Sequence, residues 1–201
     1  MNPFENFRLT SPFGMRMHPV DKVMRFHRGV DLVISPSNGN IKAFVAGEVL
    51  HAKMGATGSG FGNYGNLVAI RDDKGYLHVY AHLSSISVKG GQKIDKDQVV
   101  GKQGNTGKSS GAHLHYEVRK ACSPSYGYTA TEAGVVEPTK YLQDYYSKGE
   151  LVKVDKKDAN AIIDTYLKPA WGAAKTPADK QEIGRLADEL RVASGQPKQN
   201  G

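Results

Sequence analysis

The stretch from Gly111 to Arg119, Gly-Ala-His-Leu-His-Tyr-Glu-Val-Arg, constrains the chain more than any other. Leu114, Tyr116 and Val118 alternate with polar residues, which is the period of a strand. Successive strand side chains point to opposite faces, so His113 and His115 share one face and Leu114 takes the other. Two imidazoles held about 7 Å apart along a rigid strand can serve one metal centre, one as ligand and one as base. The polar face of an ordinary antiparallel strand is the simpler account of a lone His-x-His. The choice depends on whether the remaining chain supplies partners.

With 201 residues the chain is one domain, or one domain with a small appendage. Its 23 glycines imply many tight turns and hence many short strands. Cys122 is the single cysteine, which excludes a disulfide framework and a cysteine-based zinc site. No apolar run approaches the ~20 residues of a membrane span. The segment Met1–Arg8 has no apolar secretory region, so the protein is expected to be made in a cytoplasm. A formal net charge of +7 favours polyanions in general: nucleic acid, anionic membrane or an acidic cell wall. The basic residues are scattered, without a stripe interleaved with aromatics, so nucleic acid is not selected.

Along the chain, Arg25-Phe-His27-Arg-Gly-Val-Asp31-Leu supplies a second histidine and a carboxylate four residues on. Gly29 and the β-branched Val30, Val33 and Ile34 argue for turn and strand rather than helix. A turn at Gly29 can bring His27 and Asp31 to one point. Residues 53–66 form a glycine-rich loop, suited either to border a cleft or to connect a hairpin. In Tyr76-Leu-His78-Val-Tyr80-Ala-His82-Leu, the period of two places His78, Tyr80 and His82 on one face and Leu77, Val79 and Ala81 in the core. His82 sits at the strand end, where catalytic groups emerge, and His78 and His51 are assigned structural roles. Gly107-Lys-Ser resembles the end of a phosphate-binding loop, but Lys102 stands where that motif needs glycine. Residues 121–149 read as loop.

From Asp155 the period changes. Asp155 is a candidate N-cap, and Ala159, Ile162, Ile163, Tyr166 and Leu167 fall at helical spacing until Pro169 and Gly172 interrupt or end the helix. Thr176-Pro177 starts a second helix that ends near Ser194-Gly195. The expected fold is therefore mainly β, an antiparallel sheet core with a C-terminal α-helical hairpin. The expected division is residues 1–148 and a small helical segment, 149–201.

Six blocks occur in order: Ser-Pro-Phe-Gly-Met-Arg16, His27-Arg-Gly-Val-Asp31-Leu, Tyr64-Gly-Asn, Tyr80-Ala-His82-Leu, Gly101-Lys-Gln-Gly-Asn-Thr-Gly and Gly111-Ala-His-Leu-His-Tyr-Glu-Val. Together they resemble the lysostaphin/LytM-type peptidoglycan endopeptidases over residues 8–120, zinc metallopeptidases with a duplicated-hybrid-motif β fold. The resemblance implies one Zn²⁺ per chain, bound by His27, Asp31 and His115, with His82 and His113 as active-site histidines that are not ligands. Two imidazoles and one carboxylate make a three-ligand, open tetrahedral site, in which zinc lowers the pKa of water to about 7 and polarises a scissile carbonyl. His113 then accepts the water's proton, and His82 assists as base, orients the water or stabilises the oxyanion. Some relatives carry a tyrosine in the loop before the first motif; Val20–Arg25 has none, so no oxyanion residue is assigned there.

The implied reaction is hydrolysis of a peptide bond in the cross-link or stem of bacterial peptidoglycan. With neither secretory region nor membrane span, the chain looks like a phage endolysin that reaches the wall through a separate holin, without stable membrane insertion. The helical tail would be a wall-binding module or simple packing. The alternative is a catalytically silent, peptidoglycan-binding or hydrolase-activating relative, which would be expected to lack zinc ligands.

Overall fold

The computed structural model describes residues 2–17, 22–149 and 155–199; His18 lies outside them. The chain divides into two compact units, residues 1–144 and 145–201. The first is built on antiparallel strands, as the alternation predicts. Its strands in chain order are β1 (Arg8–Ser11), β2 (Gly14–Met17), β3 (Met24–His27), β4 (Val30–Val33), β5 (Asn40–Lys42), β6 (Gly47–Met54) and β7 (Asn66–Arg71). They continue as β8 (Leu77–Leu83), β9 (Ser85–Ile86), β10 (Lys93–Ile94), β11 (Val99–Lys102), β12 (Leu114–Arg119) and β13 (Val135–Val136).

The main sheet runs β1-β4-β12-β8-β7-β6-β10, with β13 also paired to β12. Strand β12 is central, flanked by β4 and β8, and every residue of β8 and β12 is buried. Burial on both faces explains how alternating sequence ends up without a wet side. On one face Leu67, Ala69, Leu77, Val79 and Ala81 pack around Phe61. On the other, Tyr80 and Tyr116 meet Phe44, whose backbone N–H donates to the Tyr80 hydroxyl at 2.8 Å. Small sheets β5-β11-β9 and β2-β3 complete the unit.

Residues 138–149, expected as loop, instead form helix α1 (Pro138–Gly149). Pro138 opens it with a residue that needs no N–H partner, and the Glu137 carboxylate accepts from the N–H groups of Thr139 and Lys140. Leu142 on this helix is fully buried. Beside it, the Tyr141 hydroxyl donates to the buried Asp72 carboxylate.

In the second unit, Asp155 caps α2 (Lys156–Ile162) by accepting from Lys157 N–H. Pro169 does not end this helix. The ladder widens to a π turn over Ile163–Leu167 and continues as α3 (Lys168–Ala173), with Pro169, which has no N–H to donate, set where the π turn passes into α3. Thr176 caps α4 (Pro177–Ala193) through Asp179 N–H. Asp188 and Arg191 form a buried ion pair one turn apart on α4, 2.9 Å between Oδ1 and Nη1. Among the described residues no helix is long and apolar enough to cross a membrane.

Candidate metal centre and active-site groove

His115 and Asp31 are cross-strand partners in the β12–β4 register, so their side chains rise from the same face. His27 ends β3, and the Arg28-Gly29 turn returns the chain into β4. A Cβ at Gly29 would lie 2.2 Å from Tyr116 O, so only glycine lets this turn sit against β12. The turn expected from sequence thus delivers His27 above Asp31. His27 Nε2, His115 Nδ1 and Asp31 Oδ1 converge: 3.1 Å between the nitrogens, 3.2 Å from His27 to Asp31 and 2.9 Å from His115 to Asp31.

The outer nitrogens of both rings assign the protons. His27 Nδ1 lies 2.8 Å from Pro12 O, and a carbonyl only accepts, so Nδ1 carries the hydrogen and Nε2 presents a lone pair. His115 Nε2 donates to Glu117 Oε1 at 3.0 Å, which leaves Nδ1 as the lone pair. Three electron-rich atoms then face one another at about 3 Å, an arrangement that needs a cation between them. A proton on His115 Nδ1 is one such cation. Burial opposes charge on this ring, but hydrogen bonds with Asp31 and Glu117 prevail and push it up to about 9. Burial would likewise raise the Asp31 carboxyl, but its close interactions with the His115 and His27 rings outweigh it and hold the group well below the usual carboxylate range. A divalent metal is the other candidate. Tetrahedral zinc with bonds of about 2.0–2.1 Å spaces its ligand atoms about 3.3 Å apart, close to the spacings here. The donor set therefore fits zinc, and these three form a compact cluster of potential ligands among the described residues.

His113 and His82 stand beside this cluster. His113 Nδ1–H donates to Gly111 O at 2.8 Å, and its Nε2 lies 3.5 Å from Asp31 Oδ1. The period of two fails at His82. Its partners His78 and Tyr80 do share the face of Tyr116 and Val118, opposite to His115. At His82 the backbone turns left-handed, φ 62°, and the β7–β8 register shifts between Asn66 and Val68. This bulge re-aims the side chain onto the other face. The His82 ring reaches 4.9 Å from that of His113 and 5.9 Å from that of His115, centroid to centroid. Its Nδ1–H donates to Thr106 O at 2.7 Å, so Nε2 is the nitrogen left for chemistry. Burial, and then the nearby His115 charge, push the His82 ring down to about 4, so it is neutral at pH 7. All five residues line one open groove of about 1070 Å³. Tyr64 from the glycine-rich loop forms part of its wall, so that loop borders a cleft.

Beneath the cluster lies a layer that the sequence reading passed over. Tyr64 OH donates to Glu117 Oε1 at 2.6 Å, and Arg119 Nε to Glu117 Oε2 at 2.9 Å. Both Glu117 and Arg119 are 1% exposed. The signal was available, because residues 113, 115, 117 and 119 share a strand face. His78 and His51 lie outside the cluster. His78 is fully buried on the opposite face, between the Tyr116 hydroxyl and Asp72.

The DD-carboxypeptidase/endopeptidase Mpg of Neisseria meningitidis serogroup B is 38% identical over 119 residues, 59% of this chain and 26% of that protein. The peptidoglycan DD-endopeptidase ShyA of Vibrio cholerae serotype O1 is 36% identical over 113 residues, 56% of this chain and 25% of that protein. The chain thus spans about a quarter of the length of these relatives. The catalytic domain of the antimicrobial peptidase lysostaphin from Staphylococcus simulans shares the fold, with a TM-score of 0.55 at 23% identity over 70% of this chain and 95% of that one. The description Peptidase family M23 matches residues 25–126, half of the chain, a span that holds His27, Asp31, His82, His113 and His115. The chain belongs to Peptidase family M23.

Proposed function

We propose that this chain is a zinc-dependent endopeptidase that hydrolyses peptide bonds in the cross-link or stem peptides of bacterial peptidoglycan. The observation that carries the reading is the convergence of three lone pairs at 2.9–3.2 Å, with two further imidazoles turned toward the same point. The name of the Vibrio cholerae relative, a peptidoglycan DD-endopeptidase, supports the substrate class, and that of the Neisseria relative, a DD-carboxypeptidase/endopeptidase, supports the activity. His27, Asp31 and His115 would hold the zinc. Once bound in an open three-ligand site, zinc supplies Lewis acidity toward a peptide carbonyl and lowers the pKa of water.

The chain's own residues supply positioned proton acceptors. His113 Nε2 faces the cluster while Gly111 O anchors its other nitrogen. In this reading it takes the proton of the attacking water and returns it to the leaving amine. His82, neutral at pH 7 and anchored by Thr106 O, assists at Nε2. The open groove suits an extended peptide, and the net charge of +7 suits a wall rich in carboxylates.

The test is the clearing of purified cell walls with and without chelator, followed by zinc. Clearing that stops with chelator and returns with zinc supports the reading; clearing that survives chelation of all bound metal overturns it. Action as a phage endolysin, delivered by a separate holin, is part of the proposal. Lysis of host cells on expression only together with a permeabilising protein would support it. The helical unit is proposed as an accessory wall-binding module. Its Tyr166 and Trp171 are 68% and 50% exposed, and replacing both with alanine should weaken co-sedimentation with walls.

A further inference from the structure

Glu117 sits directly behind the histidine proposed to hold zinc, in a buried ionic network that stability alone does not call for. Its carboxylate is 1% exposed and fully used: Oε1 accepts from Tyr64 OH at 2.6 Å and from His115 Nε2 at 3.0 Å, and Oε2 from Arg119 Nε at 2.9 Å. Arg119, equally buried, spends its other nitrogens on Tyr126 O and Gly60 O, both at 3.1 Å, and lies over the rings of Phe61 and Tyr64. Burying such an ion pair costs desolvation that Coulomb attraction scarcely offsets, and apolar residues of similar volume would serve stability as well or better. What apolar residues cannot do is choose a tautomer. An imidazole has two neutral forms, and a carboxylate at Nε2 accepts only, so it holds the hydrogen there and leaves Nδ1 as lone pair. Nδ1 is the atom that faces His27 Nε2 and Asp31 Oδ1.

We infer that Glu117 is the positioning residue for His115, and that Tyr64 and Arg119 hold its carboxylate so that His115 offers Nδ1 to the metal. The inference rests on the zinc reading proposed above. Outer partners of ligating histidines typically change metal affinity 10–100-fold when removed.

The experiment is zinc affinity of the full chain, by competition with a chromophoric chelator, alongside thermal unfolding of the metal-free protein. Zinc binding by the unsubstituted chain is measured first; its failure takes down the zinc reading itself. In Glu117→Gln an amide N–H₂ must face either Arg119 or the His115–Tyr64 side, so one partner loses its acceptor. Zinc affinity should fall about 10–100-fold in the folded variant. Ile70→Val, a core truncation on the opposite face of the sheet, should lower thermal stability without moving zinc affinity, which separates positioning from general loosening. Where Glu117→Gln folds, its affinity decides: unchanged zinc binding overturns the inference. Where it does not fold, Tyr64→Phe decides, since it removes one hydrogen bond from Oε1 and leaves the ion pair; a fall smaller than tenfold but measurable supports the inference, and none overturns it.

Discussion

His82 and His113 lie 4.9 Å apart, ring centroid to ring centroid, although the pleat of β8 would send His82 to the opposite face of the sheet. One left-handed residue and one slipped register bring them together. A non-glycine residue held there costs about 1–2 kcal/mol, and the cost is met because Thr106 O captures His82 Nδ1–H. Strain is thus located where the side chain is needed.

That geometry separates two kinds of histidine by experiment. His82→Asn keeps a residue that accepts the left-handed backbone while removing the imidazole. His113→Ala removes the other. Each should lower wall hydrolysis by about 100-fold or more and leave zinc content at one per chain. His27→Ala and His115→Ala should lose both zinc and hydrolysis. Metal analysis beside a turbidity assay checks all four. Loss of zinc in His82→Asn would show that the ring serves as a ligand.

The anchor for His82 depends on one glycine. Gly65 has φ +63°, and a Cβ there would meet the Thr106 backbone carbon at 2.4 Å. Gly65→Ala therefore adds a clash to the strain of a left-handed alanine and displaces the carbonyl that holds His82. We expect a loss exceeding about 1–2 kcal/mol in denaturant unfolding, with hydrolysis reduced in the folded protein. Gly75→Ala is the comparison: its φ is +82° with open space around the Cβ. It should show the strain alone, with hydrolysis unchanged.

Much of this centre was legible because β-structure alternates strictly where the backbone is regular. His113 and His115 both reach Asp31 Oδ1 from one face, and His27 and Asp31 come together through a glycine turn, both as the spacing implies. His82 was named for its place at a strand end, yet its face was misassigned, because a bulge leaves no mark in a period of two. Glu117 and Arg119 carried the alternation onward, but charged residues on a strand face ordinarily mean solvent. Their burial depends on Tyr64 and Gly60, more than fifty residues distant in sequence. Helix α1 lacks a clear apolar stripe in the sequence, because it is tied to the core by two adjacent residues, Leu142 through burial and Tyr141 through a hydrogen bond to Asp72.

On the face away from the groove, His78 and Asp72 set a pH limit on folding. Burial pushes the His78 ring below its usual 6.5, more than its bond to Asp72 raises it. Burial would raise the Asp72 carboxyl, but hydrogen bonds from His78 and Tyr141 prevail and lower it from 3.8. For both groups the unfolded chain binds more protons than the folded one. The contribution of this pair is therefore full above about pH 6.5, falls below it as unfolded His78 charges, and falls again below about pH 3.8 as unfolded Asp72 protonates. Thermal midpoints measured between pH 8 and pH 4 should decline on the acid side, and His78→Gln should flatten that decline while lowering the midpoint at pH 7. An equally steep decline in His78→Gln would remove His78 as its source.

Zinc itself should appear in the unfolding curve, because the three donor atoms meet only in the folded chain. His27 lies on β3, Asp31 on β4 and His115 on β12, so unfolding disperses the set. A ligand that binds only the folded state stabilises it by about 2.7 kcal/mol at a hundred times its Kd. The midpoint should therefore climb with free zinc, fall on adding chelator, and climb again on resupply. Asp31→Asn keeps the shape but replaces a carboxylate ligand by a neutral amide. It should abolish the zinc-dependent rise, whereas His113→Ala should keep it if His27, Asp31 and His115 are the ligands, as proposed. A zinc-dependent rise that persists undiminished in Asp31→Asn would place the metal elsewhere in the chain.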